Sequence, residues 1–236
     1  MKRKLALLVG LLLGATAFAA DPVPFAAALP PQTHCEVAIA LLRPTQFSVG
    51  QKEVEMRAAK LRKLTAGALA EYLDKHIAPI VVGPGGEPYL LDHHHLARAI
   101  LLAGIPAKMP AEVKENWSQL SEPEFWAKMK AAHWLYLYDE TGKGPLEPVA
   151  LPRTIGKMRD DPYRSLVWLV RKRGGLDKSS EPFSEFVWAN FFRTRVKFTG
   201  AELGSEPTIQ SALALAHSPE AKDLPGYVAS ADKAGH

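Results

Sequence analysis

The chain contains little cysteine: Cys35 is the one thiol among 236 residues. A single cysteine cannot form a disulfide within the chain, so the small disulfide-stapled scaffolds of secreted proteins are excluded. We expect Cys35 to be a buried small hydrophobe beside the first strand. A reactive thiol and an intermolecular disulfide are the alternatives that the sequence leaves open.

Long hydrophobic runs are missing after the first twenty residues. The N-terminus has a positive start, an apolar run at 5–13 and small residues up to Ala20, which is the pattern of a secretory signal peptide. The apolar run is shorter than a bilayer-spanning helix. The pattern therefore predicts secretion or a periplasmic location, with cleavage near Ala19 or Ala20. An uncleaved N-terminal anchor is the alternative, and no integral membrane segment is expected after the leader is removed.

The chain has only a small excess of positive charge, with 29 basic and 25 acidic residues. The predicted leader holds three of the basic residues and no acidic one, so its removal leaves a net charge of +1. A protein-wide basic field for nucleic acid is thereby excluded. Residues 153–197 nevertheless hold eleven basic and five acidic residues. Nucleic-acid binding by this segment is therefore an alternative to ordinary pairing of its arginines with nearby acids.

Several familiar catalytic motifs are also absent. The glycine-rich turn at 83–86 lacks the lysine and the spacing of a P-loop, and a hairpin turn explains it better. The consecutive histidines at 93–95 project about 100° apart on a helix and lack the i, i+4 spacing of helical zinc ligands. These three residues alone are therefore a poor zinc site, and no rich cluster of carboxylates is present to replace them.

The order of apolar patterns predicts an α+β protein. Its expected parts are a signal peptide at 1–20, an N-terminal extension at 21–33, an αβ domain at 34–150, a helical extension packed on it at 151–218, and a flexible tail at 219–236. Strands are predicted at 36–42, 80–82, 89–91 and 133–138. Helices are predicted at 51–75, 94–103, 110–130, 162–173, 182–196 and 207–217, with Gly67 dividing the first.

Residues 79–95 are the most informative stretch. Two apolar runs flank a turn rich in Gly and Pro, which predicts a β-hairpin, and Asp92 follows as the expected N-cap of a helix. Three histidines thus lie where a strand passes into a helix, a place that offers free backbone N–H groups to an anion. His94 is our first choice for the inward functional residue and His95 the second. The alternative is that one ring faces the anion, one is hydrogen-bonded in the core and one is solvated.

The order of strand, Pro44-Thr45-Gln46, helix, hairpin, Asp92-His93-His94-His95 and helix resembles the ParB/sulfiredoxin superfamily. It is most similar to the ParB-like nuclease branch of secreted bacterial proteins of unknown function. Residues 79–82 and 90–99 carry the resemblance in the αβ part. Residues 161–166 and 182–189 carry it in the helical tail. The similarity covers residues 34–200 and implies a small mixed sheet with helices and a docked helical extension.

The resemblance also implies roles for individual residues around a phosphate site at 92–95. The implied catalytic residues are Asp92, His94, His95 and Gln46. The implied contacts to a phosphorylated cofactor are His93, His94, His95 and Arg98. The motif differs from its relatives at three places that bear on activity. Leu96 stands where relatives have arginine, and Gln46 stands where the kinase branch has a carboxylate. The motif also lacks the cysteine that sulfiredoxins require, which excludes their reaction.

Two function classes follow, and a third is kept beside them. The first is an enzyme, a phosphoester hydrolase such as a nuclease, or a phosphotransferase, for which a divalent metal ion or a nucleotide is the expected cofactor. The second is a non-catalytic binding module for a nucleotide or another phosphorylated ligand. The third is an envelope interaction protein that uses the aromatic-rich tail. The expected partners are a phosphorylated small molecule or nucleic acid.

Overall fold

The computed structural model describes residues 22–105 and 108–229, so the predicted signal peptide at 1–20 lies outside it. The strands of the described part are β1 (Val23–Pro24), β2 (His34–Ala38), β3 (Arg43–Pro44), β4 (Ser48–Val49), β5 (Ala78–Val82), β6 (Pro88–Leu90), β7 (Lys108–Asn116) and β8 (Arg159–Asp160). Six of them form one sheet in the order β1-β2-β7-β5-β6-β3, and β4 pairs with β8. The sheet is mixed, because β5 is antiparallel to β6 and parallel to β7.

Helices account for most of the rest of the described chain. They are α1 (Gln51–Leu61), α2 (Ala66–Asp74), α3 (His94–Ala103), α4 (Glu122–Ala131), α5 (Pro162–Lys172), α6 (Ser184–Arg193) and α7 (Glu206–Ala216). The helices predicted at 94–103, 162–173, 182–196 and 207–217 are confirmed, with end shifts of three residues at most. The predicted α+β class is confirmed as well.

The predicted hairpin is present and places the histidines. Ile80 lies opposite Leu90 across the antiparallel pair β5 and β6. The turn between the strands needs glycine at position 85, where φ is 71°. Because β6 ends at Leu90, residues 91–93 form the short link to α3, which begins at His94.

The helix predicted at 110–130 is wrong in its first half. Residues from Lys108 to Asn116 form β7, which lies between β2 and β5 in the sheet, and alternate residues such as Met109, Ala111 and Val113 are fully buried. This period of two is the pattern of a strand. The helix begins only after Ser121, whose side chain and that of Glu124 form a reciprocal capping box.

The strand predicted at 133–138 is also absent. His133 has a left-handed backbone with φ of 55°, and the segment makes only one isolated β-bridge, between Tyr136 and Gln46. Its aromatic residues are instead held by side-chain packing: Trp134 stacks on Trp117 and Tyr136 stacks on Phe186.

Two other predicted boundaries move. The first strand covers His34–Ala38, and a 3₁₀ turn at Ile39–Leu41 replaces its predicted end. The long helix predicted at 51–75 divides before Thr65, whose hydroxyl accepts the N–H of Ala68, and Gly67 lies inside the second helix. A Thr N-cap therefore defines the break that the sequence analysis assigned to glycine.

Two large hydrophobic cores and two small clusters lie within the described part of the molecule. The first large core joins the sheet to α1 and α3 and includes Cys35. Burial raises the pKa of the Cys35 thiol to about 11, so the side chain is uncharged, as expected for a small hydrophobic residue. The second joins α5, α6 and α7 around Trp188. The segment predicted as a flexible tail is packed where the structure describes it, because Ala221 belongs to the second core and Val228 is buried.

The helical extension lies against the αβ part, with α5 in contact with α1. Ile155 and Met158 still belong to the first core, so the chain stays with the αβ part beyond residue 150. The domain boundaries themselves stay a prediction. No helix in the described ranges is long and apolar enough to cross a membrane.

Candidate functional site

A cavity of about 740 Å³ lies where the αβ part meets α5 and α6. Its walls come from α1, from the first turn of α3, from α5 and from the start of α6. Five of the eight histidines of the chain line it, namely His76, His93, His94, His95 and His133. The predicted histidine cluster therefore lies in the wall of this cavity.

The first turn of α3 differs from the predicted one. The N-cap is His93, in the left-handed region with φ of 66°, and Asp92 lies one residue outside the helix. An Asp92 side-chain oxygen accepts the backbone N–H of His93 over 2.6 Å and so stabilises this turn. The prediction of Asp92 as N-cap was wrong because the chain turns one residue later. The N–H groups of His94, His95 and Leu96 have no protein acceptor in the described ranges and lie at the positive end of the helix.

His94 points inward, but its ring is enclosed. The residue is 3 % exposed, and its Nε2 accepts the backbone N–H of Thr45 over 3.2 Å. Burial lowers the pKa of the ring to about 3, so His94 is neutral at physiological pH. The geometry suits a residue that positions the segment after β3.

His95, the next residue, makes an equivalent bond to a later part of the same segment. Its Nε2 accepts the backbone N–H of Gly50 over 2.9 Å, and burial lowers its pKa to about 4. The two imidazoles thus hold the segment that runs from Thr45 to Gly50. Their predicted catalytic roles stay predictions. In both rings Nε2, the nitrogen that could accept a proton, already accepts a backbone N–H.

The ring of His93 differs from its neighbours. It makes no hydrogen bond to another described residue and lies edge-on to His76, with 5.9 Å between ring centroids. Burial lowers its pKa, which leaves it neutral at pH 7 and able to accept a proton. Of the three consecutive histidines, His93 is therefore the one whose ring is open to the cavity.

A buried ion pair forms the α1 side of the cavity. Glu53 is 4 % exposed and accepts hydrogen bonds from Nε and Nη2 of Arg57 at 2.9 and 2.7 Å. Burial raises the pKa of the Glu53 carboxyl, but His95 when protonated and Arg57 outweigh burial, and the net pKa lies below the ordinary value. Because His95 is neutral at pH 7, Arg57 is the main partner that keeps Glu53 ionised, and the charge of Arg164 lowers the Glu53 pKa further.

Arg164 on α5 is the unusual residue of the site. It is 5 % exposed and lines the cavity, yet its Nε has no hydrogen-bond partner in the described ranges. Its guanidinium carbon lies 4.7 Å from the ring centroid of Phe186. The nearby Glu185 already accepts a hydrogen bond from Arg171 over 2.8 Å. The charge of Arg164 lowers the pKa values of the Glu185 and Glu53 carboxyls, so it has acidic neighbours but no hydrogen bond to Nε. A buried donor without an acceptor at a cavity wall indicates a place for a ligand oxygen.

The remaining predicted site residues are divided between the cavity and the surface. Gln46 lines the cavity, but its amide donates to the carbonyl of Ser48 over 2.7 Å and closes a local turn. Arg98 does not line the cavity and donates to the carbonyl of Gly156 over 2.8 Å. Arg98 is thus not brought together with the histidines.

The donor set does not fit a metal ion held by protein groups alone. No group of three or more His, Cys, Asp or Glu residues in the described ranges is arranged to hold one. The Nε2 atoms of His94 and His95 are already bonded to backbone N–H groups. We therefore derive no chemical step through a resident metal.

A family model described as "Putative ParB-like nuclease" matches residues 35–194, which is most of the chain. The chain belongs to this family. The match spans both the αβ part and helices α5 and α6, so the whole cavity lies within the family region.

Two solved structures are similar to this ParB-like chain. The crystal structure of protein Atu1540 from Agrobacterium tumefaciens has 35% sequence identity and a TM-score of 0.73, over 83% of this chain and 98% of that one. The C-terminally truncated chromosome-partitioning protein ParB from Caulobacter crescentus, complexed with CTP-gamma-S, has 15% identity and a TM-score of 0.29, over 80% and 94% of the two chains. No curated protein matches the chain.

Sequence reasoning missed three residues of this ParB-like site. Glu53 and Arg57 were given no role in the site, and Arg164 lies in the segment whose arginines were left to pair with nearby acids. The signal for the first was the i, i+4 spacing of Glu53 and Arg57 beside the buried Val54 and Ala58. The signal for Arg164 was a charge next to a continuous buried run, residues 165–168 of α5.

Proposed function

We propose that this protein binds the phosphate of a phosphorylated ligand in the cavity and hydrolyses its phosphoester bond. The observation that carries the proposal is the buried Nε of Arg164, which has no hydrogen-bond partner in the described ranges, in a cavity that the first turn of α3 also lines. A phosphate group matches both kinds of donor, because it accepts hydrogen bonds from arginine and from helix N-termini.

The cavity contains the groups that such a hydrolysis requires. Arg164 and the amides of α3 stabilise the charge that develops on the non-bridging oxygens. His93, neutral at pH 7, removes a proton from the attacking water while the new P–O bond forms. The ester P–O bond breaks, and the leaving oxygen takes a proton from solvent. Asp92 acts as a positioning residue, because its bond to the His93 N–H maintains the left-handed turn.

The test is hydrolysis of single-stranded DNA, RNA and an aryl phosphodiester by leaderless protein, with and without added divalent metal ions. We expect His93→Gln to lower kcat by about 100-fold, the contribution typical of a general base. His34→Gln, on an exposed residue outside the cavity, is the matched control and leaves the rate unchanged. Equal rates for His93→Gln and the wild type would exclude this mechanism.

A second candidate function is a binding module without turnover. It is favoured by the hydrogen bonds of His94 and His95, which occupy two of the three imidazoles in positioning the 45–50 segment. This candidate predicts thermal stabilisation by phosphorylated ligands that depends on Arg164, with no product from any ester. Product formed by wild-type protein and lost in His93→Gln would reject it.

Export is a further part of the proposal, and it rests on the sequence pattern at 1–20. N-terminal sequencing of protein recovered from a periplasmic fraction tests it. We expect the mature chain to begin at Ala20 or Asp21. Recovery of the full-length chain with Met1 in the cytoplasmic fraction alone would contradict export.

A further inference from the structure

A second compartment of about 490 Å³ adjoins the phosphate cavity. The two share wall residues, His133, Pro182 and Phe183. The second compartment is more apolar, and its distinctive residues are Tyr136 and Tyr138. Its volume lies within the range of small-molecule sites, which is about 300 to 1,000 Å³.

The aromatic side chains of this compartment form a fixed array. Tyr136 stacks on Phe186 with ring centroids 3.8 Å apart, and its hydroxyl accepts a hydrogen bond from Asn190. Tyr138 and Phe183 lie tilted against Tyr136, at 5.3 and 5.5 Å. Tyr138, only partly buried, adds an accessible ring to this support. Fixed aromatic rings of this kind are platforms on which a flat ring stacks.

The wall between the compartments has an unusual backbone. His133 and Phe183 both adopt the left-handed region, with φ of 55° and 59°. This region is unfavourable for a bulky side chain, and residues held in it cluster at ligand clamps. Phe183 is also the N-cap of α6, the helix whose first turn lines the phosphate cavity.

We propose that the aromatic compartment binds a planar ring carried by the same ligand whose phosphate lies beside Arg164. The inference rests on the proposed phosphate site and names the class of ligand: an aromatic group linked to a phosphate. Tyr138 supplies the stacking surface, and the shared wall at Phe183 sets the separation between ring and phosphate. A nucleobase and a simple aryl group share this chemistry.

Calorimetric titration of the leaderless protein separates the two contributions. The probes are inorganic phosphate, ribose 5-phosphate, phenyl phosphate, a nucleoside 5′-monophosphate and the corresponding nucleoside. We expect at least one aromatic phosphate to bind about fivefold or more tightly than ribose 5-phosphate, as one stacked ring provides. A gain with only one of the two aromatic probes supports the proposal and identifies the source of the ring.

Variants assign each contribution to its compartment. In Tyr138→Ala the aromatic gain disappears while the affinity for inorganic phosphate is unchanged, and Tyr138→Phe retains the gain because the ring remains. Arg164→Gln weakens the binding of every phosphorylated probe.

Equal affinity for aromatic and non-aromatic phosphates, or a gain that persists in Tyr138→Ala, would overturn this inference and leave the phosphate site intact. Tyr138-dependent binding of the nucleoside without any phosphate binding would support the aromatic compartment and contradict the proposed function. Binding of none of the probes would overturn both.

Discussion

The backbone N–H of Gly50 donates to Nε2 of His95 across 2.9 Å, and α5 packs against the side of Gly50 where another residue would have its Cβ atom. A Cβ atom at position 50 would lie 2.8 Å from the backbone nitrogen of Ser165 and 3.0 Å from the carbonyl carbon of Arg164. This one glycine therefore joins the histidine motif to the helix that supplies the buried arginine. The proposed phosphate site depends on how closely α5 approaches α1.

Gly50→Ala tests that approach. The added methyl group meets backbone atoms, which cannot move as an isolated side chain does, so α5 must shift. We expect the free energy of unfolding to fall by about 1 to 3 kcal/mol, as for other overpacked sites, and phosphate affinity to fall with it. Urea unfolding and phosphate titration measure the two effects. Gly67→Ala, at a position with no atom within 4 Å of the added Cβ, is the control. An unchanged Gly50→Ala protein would contradict the close contact.

His94→Leu and His95→Leu test the positioning role of these rings, because leucine has no acceptor, whereas the amide oxygen of glutamine could replace Nε2. Each substitution removes the acceptor of a backbone N–H, that of Thr45 or Gly50, inside the protein. An unsatisfied buried donor costs about 1 to 3 kcal/mol, so we expect each variant to lose that much stability in urea unfolding. The exposed His34→Gln should change stability by less than about 0.5 kcal/mol. If the two motif variants behaved like this control, the hydrogen bonds would not contribute to the fold.

The same rings predict a dependence of stability on pH. The pKa values of His94 and His95 are about 3 and about 4 in the folded protein, against 6.5 for an ordinary histidine. The unfolded chain therefore takes up protons first, and stability from the neutral rings is complete above pH 6.5 and declines as the pH falls toward 4.

Each ring contributes a slope of about 1.4 kcal/mol per pH unit in that interval. We expect urea unfolding measured between about pH 7 and about pH 5 to show this loss, with a shallower slope in His94→Gln. The comparison with the variant removes the contribution of the carboxylates. An identical slope in both proteins would mean that His94 is not held neutral by the fold.

Glu53→Gln separates stability from affinity. Glu53 neutralises Arg57, and removal of its charge leaves a partly exposed guanidinium without its ion-pair partner, which costs about 1 to 3 kcal/mol. The same change removes a negative charge from the wall of the anion site. We therefore expect weaker folding and tighter binding of inorganic phosphate, measured by unfolding and by titration. Weaker phosphate binding in a folded Glu53→Gln protein would show that Glu53 acts by orienting Arg57.

The sequence was sufficient where local signals agreed. Two short apolar runs around a glycine-rich turn that includes Gly85 predict the hairpin, and Gly104 marks the end of α3. Both elements occur where they were predicted. The pattern failed at 108–116, because Lys, Glu and Pro suggest an exposed helix until the pairing of β7 with two neighbours is known. It failed at His133 because a left-handed residue in a loop has no periodic signal.

The site was predictable in location but not in chemistry. Asp92 to His95 could be placed at a strand–helix junction from the sequence alone. Which ring is open depends on tertiary partners. The backbone N–H groups of Thr45 and Gly50 donate to His94 and His95, whereas no described group bonds to the ring of His93. The missing hydrogen bond at Nε of Arg164 likewise depends on the contact between two helices, in which Glu185 accepts from Arg171, and no local pattern encodes that contact.

Calorimetric titration with inorganic phosphate tests the central claim most directly, using wild-type protein, Arg164→Gln and Arg173→Gln. Arg173 ends the same helix but pairs with Glu206 on the surface, so it is a matched control. We predict saturable binding to the wild type and to Arg173→Gln, and about tenfold or weaker binding to Arg164→Gln, the loss expected for one charged hydrogen bond. Equal binding by Arg164→Gln and the wild type, or no binding by the wild type, would contradict the account.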